Sequence, residues 1–168
     1  MGIFDFLKRN DKKKEQTNEK EQTDEVQNEF IKDMTSNAER ISEAYNEMLG
    51  GALDYSVSSL KALDELLEQF HENQNDIDEE MKSDVIAQAG SYVFEVARRN
   101  YGGKYYWYDQ MNQPIFVTGQ PNFEISIIAF DKVKMRIENG KEDQLPFYFK
   151  GYEERVKAGE KGEKALIN

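Results

Sequence analysis

The sequence predicts an α+β fold, with a helical N-terminal half, a three-stranded antiparallel β-meander and two C-terminal helices. Up to Tyr101, apolar residues recur at spacings of three, four and seven, as on one face of a helix. Between Lys104 and Ala129 the chain becomes rich in aromatic and β-branched residues, which favour strands. From Asp131 the helical spacing returns.

Three helices are predicted before the sheet. The first covers residues 26–48 and ends at a glycine pair, because glycine readily adopts the left-handed conformation that terminates helices. The second covers 56–71, and the third covers 78–101 with Asp76 or Asp78 as its N-cap. The apolar arc of the third helix is roughly 200° wide, broader than the stripe of about 100° on a surface helix. We therefore expect this helix to be the buried spine of the domain.

The predicted meander is short and has polar turns between its strands. Its three strands cover 104–108, 114–118 and 122–129. A fourth helix follows over 131–139. The last helix is capped by Asp143 and stops near Gly159.

The chain is predicted to form one α+β domain over 26–158, a flexible N-terminal tether over 1–25 and a polar C-terminal tail over 159–168. Residues 10–25 contain no apolar side chain, so they cannot bury enough surface to offset the entropy of ordering. A small apolar tip precedes them, formed by Ile3, Phe4, Phe6 and Leu7. This tip could contact a partner or a membrane surface, but its two basic neighbours are too few for stable membrane association.

Charge restricts the classes of partner. The formal net charge is −11, and the segment 64–80 holds eight acidic residues and no lysine or arginine. Such a field repels nucleic acid and favours basic protein partners or cations. The simpler interpretation is a solvated surface that keeps the protein in solution. We predict a protein partner of basic character and no nucleic-acid binding.

Several chemistries are excluded by composition. Without cysteine, the chain can form no disulfide, thiolate metal site or cysteine nucleophile, which suits a reducing compartment. Its only histidine, His71, lacks a partner for nucleophilic catalysis and is interpreted as structural. The acidic run 73–78 lacks the glycine that a calcium loop requires at its sixth position. No apolar run approaches the roughly 20 residues of a membrane span. We predict a cytoplasmic protein with no cofactor.

Carboxylate, guanidinium and aromatic groups come closest together at the end of the third helix. Glu95 is followed at i+3 and i+4 by Arg98 and Arg99, so the three side chains share one side of the helix. They form either ordinary surface ion pairs or an anion- or carboxylate-binding site walled by aromatic residues of the first strand. The predicted ligand- or partner-binding residues are Glu95, Arg98, Arg99, Tyr105 and Trp107, and no catalytic residue is predicted.

The aromatic run Tyr105–Tyr108 also permits two interpretations. In an alternating strand only about half of these side chains can face the core. The others either pack against another element or form a partner-binding patch.

Three groups of residues carry a resemblance to a known family. They are Leu53-Asp54-Tyr55-Ser56 with Ser59-Leu60 and Leu63-Asp64; Gly90-Ser91-Tyr92-Val93-Phe94-Glu95-Val96 with Gly102-Gly103 and Trp107; and Phe130-Asp131-Lys132-Val133 with Arg136-Ile137-Glu138-Asn139-Gly140 and Glu142-Asp143. In these residues the chain resembles uncharacterised bacterial domains of unknown function, over about residues 50–155. The resemblance implies no activity, and it leaves the N-terminal helix and the tether outside.

Two functions are consistent with these observations. The first is a non-enzymatic, acidic protein-binding module, of which an inhibitor or immunity-type protein is one form. The alternative is a small-ligand or enzymatic site between the third helix and the sheet, with Glu95 as acid or base and an arginine as the anion clamp.

Overall fold

The computed structural model describes residues 19–168, with side chains from Asp24 onward. The predicted apolar tip, and the tether as far as residue 18, lie outside the described residues. The elements in chain order are α1 (Glu19–Tyr45), α2 (Ser59–Glu72), α3 (Glu79–Tyr101), β1 (Lys104–Tyr108), β2 (Gln113–Thr118), β3 (Glu124–Ile127), α4 (Phe130–Asn139), a 3-10 helix (Gly140–Asp143), α5 (Leu145–Ala158) and β4 (Lys164–Ile167). The α+β class, the helical N-terminal half and the two C-terminal α-helices are confirmed.

The first helix is shifted toward the N terminus. It begins at Glu19, so residues 19–25, predicted as tether, form its first two turns. These turns are rich in glutamate, glutamine and lysine, which have good helix propensity. The buried part of the helix further along the chain stabilises the first helical turns, so that the helix only has to be extended through residues 19–25. The helix ends at Tyr45, ahead of Gly50 and Gly51, whose φ angles of 64° and 78° turn the chain toward α2.

Helix α3 is the buried spine that its wide apolar arc predicts. Val85 and every residue from Ala89 to Ala97 are buried. Asp78 is its N-cap, accepting a 2.8 Å hydrogen bond from the Met81 amide. Gly90 lets α4 approach closely, because a Cβ atom at this position would lie only 2.3 Å from Cδ1 of Phe130. Helix α3 therefore packs against α1 and, closely at Gly90, against α4.

The sheet has four strands in the order β1-β2-β3-β4. The β1–β2 and β2–β3 pairs are antiparallel, as the predicted meander requires, but β4 is added parallel to β3. The segment 159–168 is therefore not simply a polar tail. Four residues carry too short a pattern to reveal a strand, and pairing with the free edge of β3 decides their conformation.

The helices pack on one face of this sheet. Tyr105 of β1 stacks on Phe30 of α1, with ring centroids 5.5 Å apart, and meets Phe94 of α3 edge to face. Elsewhere on the same face, the hydroxyl of Thr118 on β2 lies 2.7 Å from the Tyr152 hydroxyl of α5. This face therefore carries the aromatic part of the core.

Helix α1 also protects the outer edge of β1. The side-chain amide of Gln27 donates to the carbonyl of Tyr105 at 2.5 Å and accepts from its backbone N–H at 2.8 Å. One side chain thus satisfies both backbone groups that a further strand would use.

The predicted cap of the last helix is wrong. Asp143 belongs to the 3-10 helix, where it accepts a 2.9 Å hydrogen bond from Asn139, and α5 begins at Leu145 without a side-chain cap. The 3-10 turn after Gly140 moves the helix start beyond the reach of Asp143. The C-terminal end agrees with the prediction, since Gly159 adopts the left-handed conformation there.

A buried arginine joins the C-terminal helices to α2. The side chain of Arg136 on α4 is 1% exposed, and its Nε donates to Oδ1 of Asp64 at 2.9 Å. The same aspartate oxygen accepts the backbone N–H of Leu145, at the start of α5, at 2.8 Å. A second carboxylate, that of Glu68, lies 2.6 Å from Nη2 of Arg136. Two of the eight acidic residues in the segment 64–80 are therefore paired with this arginine.

His71 lies beside this junction. Its Nδ1 is 2.7 Å from the backbone carbonyl oxygen of Ile137, near the C-terminal end of α4. The contact ties α2 to α4, as a structural histidine would.

Candidate functional site

The candidate site is built around Glu95, in the last two turns of α3. The wide apolar arc of the helix is covered by α1, and this covering leaves the Glu95 side chain fully buried. Arg98, one turn further along, grips the carboxylate in a bidentate manner. Its Nε lies 2.8 Å from Oε1 and its Nη2 lies 2.7 Å from Oε2.

Three further donors complete the shell of the carboxylate. Oε2 accepts from Nε of Arg99 at 3.1 Å and from the Thr35 hydroxyl of α1 at 3.3 Å. Oε1 accepts from the Tyr105 hydroxyl of β1, also at 3.3 Å. Residues from two helices and one strand thus surround one buried charge.

This shell fixes the protonation state of Glu95. Burial alone would raise the pKa of the carboxyl, but the hydrogen bonds and charges of Arg98 and Arg99 outweigh it and hold the pKa below its usual value. Burial and the Glu95 charge raise the pKa of Tyr105 well above 10. A fully bonded carboxylate of lowered pKa has no free lone pair directed at a substrate, so this geometry does not favour a general acid or base.

The two arginines face outward from the buried carboxylate. The Arg98 side chain is 28% exposed and that of Arg99 is 37% exposed. The guanidinium carbon of Arg99 lies over the ring of Tyr55, 3.7 Å from its centroid, in a cation–π contact. Both guanidinium groups are therefore held in place while part of each stays open to solvent.

Tyr55 is held rigidly beneath Arg99. Its ring stacks on Tyr92 with centroids 4.7 Å apart, and its backbone N–H donates to the Tyr92 hydroxyl at 2.9 Å. Asn100 donates to its carbonyl oxygen at 2.8 Å. These contacts retain Tyr55 at a φ angle of 62°, an unusual value for a residue other than glycine. The platform under Arg99 is thus ordered before any ligand binds.

The predicted aromatic wall has a different arrangement. Tyr105 is completely buried in the core, where only its hydroxyl reaches Glu95. Trp107 is half-buried on the same side of β1, and it takes no part in the hydrogen bonds to Glu95. The most exposed member of the run is Tyr106, 38% exposed on the opposite side of the strand. Of the five predicted site residues, the structure brings together Glu95, Arg98, Arg99 and Tyr105.

Two members of the cluster were missed by sequence reasoning. Thr35 gives no signal, because it is an ordinary polar position on a long amphipathic helix. Tyr55 belongs to the Leu-Asp-Tyr-Ser motif that carries the family resemblance, but nothing local indicates that it stacks on an arginine 44 positions later.

A second surface is acidic and lies around the connection between α2 and α3. We define the acidic surface as the six exposed carboxylates of the segment 64–80, which are Glu65, Glu72, Asp76, Asp78, Glu79 and Glu80. None of them belongs to an ion pair between described residues. Met81, 43% exposed, lies next to them at the start of α3. The acidic surface therefore combines uncompensated charge with an apolar side chain.

A family model described as a family of unknown function, DUF6278, matches residues 1–137. The chain belongs to this family. The predicted resemblance to a family of unknown function is confirmed, but the DUF6278 match extends to the N terminus, which the resemblance left outside. It includes the Glu95 cluster and the acidic surface, whereas α5 and β4 follow the matched part.

No curated protein and no solved structure matches this chain. Over the described residues, no group of three or more histidine, aspartate or glutamate side chains could hold a metal ion. Within the same part of the chain, no helix is both long and apolar enough to cross a membrane.

Proposed function

We propose that this protein is a non-enzymatic binding module that recognises a basic protein partner through the acidic surface. The observation that supports this most is the contrast within the segment 64–80. Asp64 and Glu68 both pair with Arg136, while the six remaining carboxylates stay exposed and form no ion pair with a described residue. A partner carrying lysine or arginine would supply the missing charge, and the attraction would speed the encounter of the two proteins.

The Glu95 cluster also supports a binding role over catalysis. Its carboxylate is fully bonded, so the alternative in which Glu95 transfers a proton finds no support in the geometry. We place the protein in the cytoplasm of a bacterium, in keeping with its lack of cysteine and its resemblance to bacterial domains.

Charge neutralisation tests the proposal. A variant with Glu72→Gln, Asp76→Asn, Glu79→Gln and Glu80→Gln removes four charges without touching the N-cap Asp78. The full-length wild-type chain and this variant are immobilised and exposed to lysate of the source cell. Wild type should retain one stoichiometric partner of basic isoelectric point, and the variant should lose it.

A matched control separates charge from position. The variant Glu43→Gln, Glu47→Gln, Glu154→Gln and Glu160→Gln also removes four exposed carboxylates, all outside the acidic surface. It should keep the partner. Retention of the partner by the first variant, or equal loss from both, would contradict the proposal.

A second candidate function is binding of a carboxylate or phosphate ligand by the arginine pair. It is favoured by one observation: both guanidinium groups are fixed by Glu95, and Arg99 additionally by Tyr55, while both arginine side chains stay partly exposed. Inorganic phosphate and citrate, titrated in a calorimeter, test this directly. Binding that Arg98→Gln and Arg99→Gln abolish, but Lys150→Gln leaves intact, would support it. Equal heats for all three variants would exclude it.

A further inference from the structure

A separate cleft lies between α4, the 3-10 helix, α5 and β4. Its volume is about 330 Å³. Tyr148, Gly151 and Ile167 provide its apolar lining, and the ion pair of Lys132 with Asp143, 13% and 14% exposed, also lines it. The charged side chains of Lys150 and Glu154 stand at its exposed side. An empty cavity of about 150 Å³ is enough to hold a benzene molecule, so this cleft has room for an aromatic side chain.

An aromatic side chain projects beside the same cleft. Phe147 lines it and is 80% exposed, more than any other large apolar side chain in the described part of the chain. Its helix neighbours Leu145, Tyr148 and Phe149 are all buried. Burying a phenylalanine side chain is favourable, and the monomer gains little of this stabilisation from Phe147. The surface thus presents an apolar knob and a hole next to each other.

We propose that two copies of this chain associate about a two-fold axis, each placing its Phe147 ring in the cleft of the other. A projecting side chain and a cleft on one surface are self-complementary under two-fold symmetry, because the projecting side chain of each copy then faces the cleft of the other. An unrelated partner would need a matching hole and a matching knob at the same spacing. The second copy supplies both without further assumption.

The charges around the cleft fit a second copy as well. Nζ of Lys150 lies 3.7 Å from Glu154, and these side chains are 68% and 67% exposed, so both signs of charge occur on this surface. Two such surfaces can exchange ion-pair partners instead of repelling each other. The acidic surface does not contribute to the cleft lining, so the strong negative field of the chain is not centred on this contact.

Sedimentation velocity of the full chain, from about 1 to 200 μM, is the test. Wild type should show a dimer whose fraction rises with concentration. Phe147→Ser should weaken the dimer at least about tenfold, because the central aromatic residue of an interface carries much of its affinity. The fold should be unaffected, since the side chain is exposed in the monomer.

A second variant fills the hole and leaves the knob in place. A Cβ atom added at Gly151 would meet nothing closer than Cγ2 of Ile167 at 4.0 Å, and Gly151 lies inside α5, where any other residue except proline raises helix propensity. Gly151→Met should therefore fold with an unchanged or higher melting temperature. Its side chain would occupy the cleft and weaken the dimer at least about tenfold.

Met81→Ser is the matched control, because Met81 is exposed on α3 and does not line the cleft. It should leave the dimer constant within about twofold of wild type. A wild-type chain that is monomeric over the whole range overturns the proposal. So does a dimer that Phe147→Ser and Gly151→Met leave unchanged, because the contact would then lie elsewhere.

Discussion

Two arginine–carboxylate clusters in this protein are built in opposite ways. At Arg136 the cation is buried, 1% exposed, and the carboxylates of Asp64 and Glu68 surround it. At Glu95 the carboxylate is buried, and the cations Arg98 and Arg99 reach the surface. The same pairing of arginine with carboxylate therefore buries the cation in one cluster, the inward cluster, and leaves the cations partly exposed in the other, the outward cluster.

The difference follows from which elements meet. Asp64 also accepts the Leu145 backbone N–H, so the Arg136 cluster locks α2, α4 and the start of α5 together and leaves little for a ligand to contact. The Glu95 cluster lies where α1 covers only the carboxylate, and the arginine side chains pass around it to solvent. The inward cluster supports the fold, and the outward one offers a surface.

The largest effect is expected at the inward cluster. Arg136→Met should destabilise the protein by about 3–5 kcal/mol, because it leaves the buried Asp64 without its cation. The free energy of unfolding in urea measures this. Arg136→Met combined with Asp64→Leu should recover part of the loss, since the more deeply buried carboxylate is then gone and that of Glu68, 23% exposed, can reach water. If Arg136→Met lost less than about 1 kcal/mol of unfolding free energy, the cluster would not be what holds α2, α4 and α5 together.

Glu95→Gln should have a smaller effect, about 1–3 kcal/mol. It removes the charge that binds both arginines, but the released guanidinium groups can reach water. Urea unfolding again provides the measurement. Glu43→Gln, at an exposed position of α1, is the control and should change stability by no more than about 0.5 kcal/mol. If Glu95→Gln lost more unfolding free energy than Arg136→Met, the Glu95 cluster would be the one that contributes more to the stability of the fold.

The outward cluster should also be visible in the pH dependence of stability. Because the folded pKa of Glu95 lies below its unfolded value of 4.5, its contribution is present above that value and is lost as pH falls through the folded pKa. Wild type should therefore lose more stability than Glu95→Gln below about pH 4.5. Unfolding curves at pH 7, 5, 4 and 3 measure the difference. If the free energies of unfolding of the two proteins changed equally with pH, the ionised Glu95 carboxylate would add no stability through its arginines.

The smallest effect is expected for Arg99→Gln. This side chain is 37% exposed, and Glu95 keeps its bidentate bond to Arg98, so the loss should be at most about 1 kcal/mol. Thermal unfolding beside Lys150→Gln, which removes another exposed cation, provides the comparison. A loss of more than about 2 kcal/mol would place Arg99 among the residues that hold the fold.

Elements with local signals were predictable. The glycine at the end of α5 and the aromatic run of β1 were predicted at the right positions, and Asp78 is one of the two aspartates predicted as the N-cap of α3. Caps, left-handed glycines and strand-forming residues act within a few positions. The Glu95 ion pairs were predictable for the same reason, since i+3 and i+4 neighbours meet on any helix.

Features that depend on distant partners were not predictable. The burial of Arg136 depends on Asp64, 72 positions away, and a charged residue near a helix end gives no sign of such a partner. Strand β4 forms only because β3 offers a free edge. Which aromatic residues of β1 face inward is decided by the side of the strand on which α1 and α3 pack.

The sequence by itself determined the α+β class, the positions of most helices and strands, and the local pairing of Glu95 with its arginines, because each depends on residues a few positions apart. Only the tertiary structure decided that Glu95 would be buried and Arg99 would rest on Tyr55. It likewise decided that two acidic residues of the segment 64–80 would pair with Arg136 while six stayed exposed. Burial and charge compensation depend on what packs against a side chain, and that is a property of the assembled fold.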